Sequence, residues 1–152
     1  MQTVGDLVKK SRVSGIIGVS MFGEESPASP PNEANYLVFA EFSGFGNPNP
    51  ACDLELFYAQ TLDPLYGGAG MAKEWERIYE AGHNLRLALH QPGQAGSAGG
   101  TTAVEREQMT VRLAAEAHAI SSKLSGESCR RWSWLENWLW RAEWLQRTRV
   151  GG

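Results

Sequence analysis

The chain has two cysteines in 152 residues. That is too few for a disulfide framework, and no spaced Cys/His cluster accompanies them as structural zinc would require. Long apolar runs are missing, so no segment reads as a membrane-spanning helix. Charge of one sign is missing too. Fourteen Lys/Arg against seventeen Asp/Glu give a net charge of −3, which provides no global polycation to draw the chain to nucleic acid. The opening Met-Gln-Thr-Val-Gly-Asp carries no basic lead and is followed by no long apolar stretch, so a secretory signal is not expected and a reducing, cytosolic compartment is. With 42% hydrophobic and 20% charged residues, the chain reads as one globular domain of ordinary size, or a domain with a helical appendage.

What is present is unevenly spread. Residues 1–100 hold six basic and eleven acidic side chains, whereas residues 128–152 hold five arginines and two glutamates. Five of the six tryptophans fall in that last segment. An acidic body therefore ends in a basic, tryptophan-rich tail. Opposite charge allows the two to dock within the molecule, or allows the tail to be offered to something else.

Local patterning in the body predicts an α+β domain over residues 1–90. Val4, Leu7 and Val8 share one side of a short opening helix over residues 2–12. Gly15–Phe22, rich in β-branched residues, reads as a strand. Prolines 27, 30 and 31 interrupt regular structure over Gly23–Ala34. Asn35–Phe42 is apolar on both strand faces and reads as a central strand, while Asp53–Gln60 alternates Leu54, Leu56 and Tyr58 against Asp53 and Glu55. These give a three-stranded antiparallel meander. A helix over Met71–Ala81 follows, with Met71, Trp75 and Ile78 on one face and Gly82 as its C-terminal cap. Leu85, Leu87 and Leu89 then fit a fourth strand, although Leu85 and Leu89 also continue the helical stripe; the preceding glycine favours the strand.

Residues 91–100, with four glycines and a proline, have the composition of a linker. Beyond it, residues 101–152 form a two-helix tail. Thr102 and Glu105 fit a capping box opening a helix that runs to about Leu124. Met109, Leu113, Ala117, Ile120 and Leu124 make its main stripe, and Val104, Val111, Ala115 and His118 a second one. In the last helix, over about 127–147, Trp132, Trp134, Leu135, Trp138, Leu139, Ala142 and Leu145 share an apolar arc. Trp140 and Trp144 lie off that arc and one turn apart. Tryptophan with arginine is the pairing enriched at interface hot spots. The expected contact surface is therefore Trp140 and Trp144 with Arg130, Arg131, Arg141 and Arg147. A small non-enzymatic accessory, adaptor or assembly protein follows, binding a protein partner or a second copy of itself, with no cofactor and no metal.

Catalytic chemistry has little to stand on. His83, His90 and His118 show no ligand spacing, and His118 reads as a core histidine. Cys52 and Cys129 have no histidine beside them in sequence. The one site-like pattern is Asp63-Pro-Leu-Tyr-Gly-Gly-Ala-Gly70, where a glycine turn between a strand and a helix would present backbone amides to a phosphate. It resembles the pyrophosphate loop of the acyl-CoA-dependent N-acetyltransferase superfamily, with Gly67, Gly68 and Gly70 as the cofactor-binding candidates that resemblance implies. Leu65 stands where that loop carries a basic residue or glutamine. The order helix, three strands, helix over residues 2–81 is also similar to that of double-stranded RNA-binding modules. There the second helix starts with a lysine cluster; here Lys73 stands between the glycine loop and Glu74 and Glu76.

Overall fold

The structure, a computed structural model, describes residues 29–43 and 54–150, with backbone alone at 41–43, 92, 97 and 143–150. The chain divides into two compact units, residues 1–56 and 57–152. All regular structure among the described residues is helical, and no strand occurs among them. The expected antiparallel sheet is thereby overturned. The predicted helix over 2–12 and strand over 15–22 lie outside the described residues.

In the first unit, α1 spans Pro30–Ser43 and contains the whole of the expected central strand. A segment apolar on both faces of a strand is also apolar all round a helix, so periodicity alone does not separate the two. Pro30 and Pro31 decide it. At the first two helical positions their missing N–H groups are no loss and their fixed φ starts the turn. The first bond closes from the Glu33 amide to the Ser29 carbonyl at 2.9 Å. The prolines expected to forbid regular structure thus begin it.

The expected third strand is also helical. α2 (Leu54–Phe57) runs through a π turn (Tyr58–Leu62) into α3 (Asp63–Tyr66), with right-handed torsions kept at Phe57, Leu62 and Asp63. Pro64 gives the π turn a cause. Its ring crowds the carbonyl four residues back and it donates nothing, so the preceding turn widens and the Asp63 N–H reaches the Tyr58 carbonyl. The inserted residue sets the buried spacing at Phe57, Leu62 and Tyr66, while Leu54 and Leu56 stay exposed.

α4 runs over Met71–His90 without a break, so residues 83–90 continue the helix and form no strand. Ala72, Trp75, Ile78, Gly82, Leu85 and Ala88 make its buried stripe. Gly82 is an interior residue of that stripe and caps nothing. Residues 92–100 hold two 3₁₀ turns, Pro92–Gln94 and Gly96–Gly100, which lie against α4 with Ala95 and Ala98 buried.

α5 (Ala103–Ser121) opens on the anticipated capping box. The Thr102 hydroxyl accepts the Glu105 amide, and the Glu105 carboxylate accepts the Thr102 amide at 2.7 Å. Donation from the Thr102 amide, and from its hydroxyl at 2.8 Å, holds the Glu105 carboxyl below its usual range. α6 (Gly126–Val150) returns antiparallel along α5, with Gly126 at φ +60° starting the return. The buried seam of α5 is Thr110, Leu113, Ala114, Ala117 and Ser121. Four of these five are small, which lets the helices approach closely over Trp132, Leu135, Leu139 and Ala142. Met109, expected in that seam, is 42% exposed.

Candidate functional site

α6 sorts its aromatic residues as its 3.6-residue period requires. Trp132, Leu135, Trp138, Leu139 and Ala142 are buried and Trp134 is half-buried, whereas Trp140 is 42% exposed. Arg141 beside it is also exposed. The side chains of Trp144, Leu145 and Arg147 lie outside the described residues. Arg130 is exposed and paired with Glu127 at 2.8 Å, about 15 Å along the helix from Trp140 by the helical rise.

Arg131 belongs to a different part of the molecule from the one its sequence position suggested. It is 3% exposed, its guanidinium stands 5.9 Å from the Tyr66 ring centroid, and its Nη1 donates to the Leu65 carbonyl at 3.4 Å. Next to it, the Trp132 indole N–H donates to the Tyr66 carbonyl at 2.8 Å. Leu65 and Tyr66 end α3, where helical carbonyls lack intrahelical donors. Adjacent residues of α6 supply those donors. Trp75 answers from α4, its indole N–H reaching the Arg131 carbonyl at 3.2 Å. Of the six expected contact residues, Trp140 and its neighbour Arg141 are both exposed, Arg130 stands apart, and Arg131 serves the core.

The same core holds an aromatic ladder that patterning did not single out. Trp75 stacks on Tyr79 with centroids 5.2 Å apart, Tyr79 meets Trp138 at 4.8 Å, and Trp138 stacks on Trp134 at 6.2 Å. His83 continues it beyond Tyr79, and the Arg86 guanidinium lies 4.6 Å over the Trp138 ring. Its signal was available in sequence: Trp75, Tyr79 and His83 recur one turn apart on α4, as do Trp134 and Trp138 on α6.

The glycine loop is already occupied by an anion of its own chain. Asp63 is buried, its Oδ2 accepts the Gly70 amide at 2.8 Å, and its Oδ1 accepts the Ala72 amide at 3.0 Å. Its carbonyl takes the Gly67 and Gly68 amides. The carboxylate thus sits at the N-terminus of α4, where a phosphate would have to lie. Gly67, Gly68 and Gly70 adopt φ of +113°, +130° and +78°, so the turn itself accounts for glycine. The segment before the loop is helical, which removes the strand that the acetyltransferase resemblance requires. The double-stranded RNA-binding order of elements loses two of its three strands, those expected at 35–42 and 53–60, for the same reason.

Other polar groups link helices. Arg77 bridges Glu74 and Glu116 at 2.7 and 2.6 Å, joining α4 to α5 and holding the Glu74 carboxyl below its usual range. His118 is exposed and meets Glu136 at 3.1 Å, correcting its expected place in the core. The half-buried Cys129 thiol donates to the Ser121 carbonyl at 3.5 Å. Among the described residues no three His, Cys, Asp or Glu side chains gather as a metal ion would need, and no helix is long and apolar enough to cross a membrane. No protein-family model, curated protein or solved structure matches the chain.

Proposed function

We propose that this chain is a small accessory or adaptor protein acting in the cytosol through protein–protein contact, with the two helices of residues 101–152 presenting the contact surface. One observation carries the reading: Trp140 is 42% exposed on a helix that encloses Trp132 and Trp138, and the next residue, Arg141, is exposed as well. Covering the rest of that indole contributes about 2 kcal/mol at ~25 cal/mol per Å², enough to make one residue a hot spot. Arg141 supplies directional hydrogen bonding at the rim. Trp144 and Arg147, one and two turns further along by sequence, extend the same chemistry.

The test is a photo-crosslinking amino acid at position 140, introduced in cells. A discrete adduct that disappears with Arg141→Glu is expected. A chain that yields no adduct at any expression level has no contact there, and the reading fails.

A further inference from the structure

The large apolar side chains that residues 57–152 leave exposed, among those described, are Val104 at 62%, Met109 at 42% and Trp140 at 42%. Two of them lie on α5. There Val104, Gln108, Val111, Ala115, His118 and Ser122 follow one another at alternating steps of four and three residues. All are exposed except Val111, which is half-buried, and none is a Lys, Arg, Asp or Glu. Alternating steps of four and three are the spacing of a helix–helix seam. The opposite seam of α5, through Thr110, Leu113 and Ala117, is already filled by α6. Among the described residues, α5 therefore carries two seams of which one is filled.

Resting on the reading of Trp140 as a contact residue, we infer that the second seam is filled by α5 of a second copy of this chain, packed antiparallel about a twofold axis that crosses the seam midway between Gln108 and Val111. That register sets Val104 against the second copy's Ala115 and Gln108 against its Val111. Each large side chain then meets a smaller or flexible one. It also brings Glu105 beside the second copy's Arg112, twice by symmetry. The charges fit: both side chains are exposed, and Arg112 makes no ion pair among the described residues. Trp140 has a place in the same arrangement. His118 meets Glu136, and the helices run antiparallel, so Trp140, one turn beyond Glu136, is level with the turn of α5 that holds Ala115. The second copy's Val104 arrives at that level. Val104 and Trp140, two of the three exposed apolar groups of the surface, are covered in one step. A parallel pairing would set Ala115 on Ala115 and His118 on His118, and would leave Trp140 uncovered.

Sedimentation of the full chain at about 100 µM is expected to show a dimer. Ala115→Glu, at an exposed position, is expected to give a monomer of unchanged helicity. Arg112→Glu is expected to weaken the dimer about tenfold at low salt. Adding Glu105→Arg is expected to recover it, with circular dichroism controlling for the altered cap. With Cys52 and Cys129 replaced by serine, a Val104→Cys chain mixed with an Ala115→Cys chain is expected to form the mixed disulfide faster than either self-disulfide. A wild-type monomer, a dimer indifferent to Ala115→Glu, or preferred self-disulfides would each overturn the inference. A monomer whose position 140 still crosslinks a different protein would overturn the second copy alone. A monomer that crosslinks nothing would remove the contact reading as well.

Discussion

A β-carbon on Gly82 would stand 2.6 Å from Leu139 Cδ2 and 2.8 Å from Trp138 Cζ3. The middle of α4 is thus held against α6 by the absence of a side chain. Alanine would recover about 1 kcal/mol of helix propensity. It would also force two enclosed side chains apart, and overpacking of that kind costs about 1–3 kcal/mol. Gly82→Ala is expected to lower stability by about 1 kcal/mol in urea unfolding, and Gly82→Val by more. A higher midpoint for the alanine variant would mean that Leu139 moves aside without cost and that the close approach is incidental.

Asp63 ties the start of α3 to the start of α4 by accepting two backbone amides. Removing its carboxylate leaves those donors without it, at about 1–3 kcal/mol for each one left buried. Asp63→Ala is expected to cost about 2 kcal/mol or more, and Asp63→Asn, which keeps one acceptor, clearly less. Because the amides are occupied, acetyl-CoA at millimolar concentration is expected to give no thermal shift with the parent chain. Saturable binding abolished by Gly68→Asp would show that the loop opens to a ligand.

The two-helix end was legible in the sequence, whereas the helical state of residues 35–42, 54–60 and 83–90 was not. Thr102 and Glu105 announce their helix through reciprocal side-chain hydrogen bonds, a local device that needs no tertiary context. The arc of Trp132, Leu135, Trp138, Leu139 and Ala142 repeats too regularly over too long a stretch to fit a strand. Asn35–Phe42 and residues 83–90 are short and mostly apolar, so alternation and helical periodicity both fit them. Gly82 misled because a glycine needed for close packing looks in sequence like a glycine that ends a helix. At the candidate site, the period of α6 separated Trp140 from the core. It could not separate Arg130 from Arg131, which are adjacent in sequence and divided by whether α3 ends above them.

That division predicts opposite outcomes along one helix. Trp132 is fully enclosed, and its indole N–H serves the Tyr66 carbonyl. Trp132→Ala is expected to cost about 3–5 kcal/mol. Trp132→Phe keeps most of the volume and is expected to cost about 1 kcal/mol through the lost donor. Trp140→Ala is expected to stay within about 0.5 kcal/mol of the parent, as exposed substitutions do. If Trp140→Ala destabilises as much as Trp132→Phe, Trp140 is part of the core and its exposed area carries no contact.

Glu76 offers a pH dependence with a definite sign. Burial pushes its carboxyl above the ordinary 4.5, and neighbouring Glu80 adds to the rise. The Tyr58 hydroxyl, 2.5 and 2.7 Å from the two carboxylate oxygens, and Lys73 pull it back down. With the folded value above the unfolded one, the folded chain holds a proton that the unfolded chain has released. The stabilisation from this group is therefore present below 4.5 and is lost as pH rises through the folded value. Glu74, held low by Arg77, has the opposite slope, so the quantity to measure is the difference between variant and parent. Glu76→Gln is expected to remove the loss while still accepting from Tyr58, and so to gain on the parent as pH rises from 4.5 through the folded value. Tyr58→Phe removes the downward pull and is expected to move the loss to higher pH. An identical pH profile for Glu76→Gln and the parent would mean that this carboxyl titrates as freely folded as unfolded.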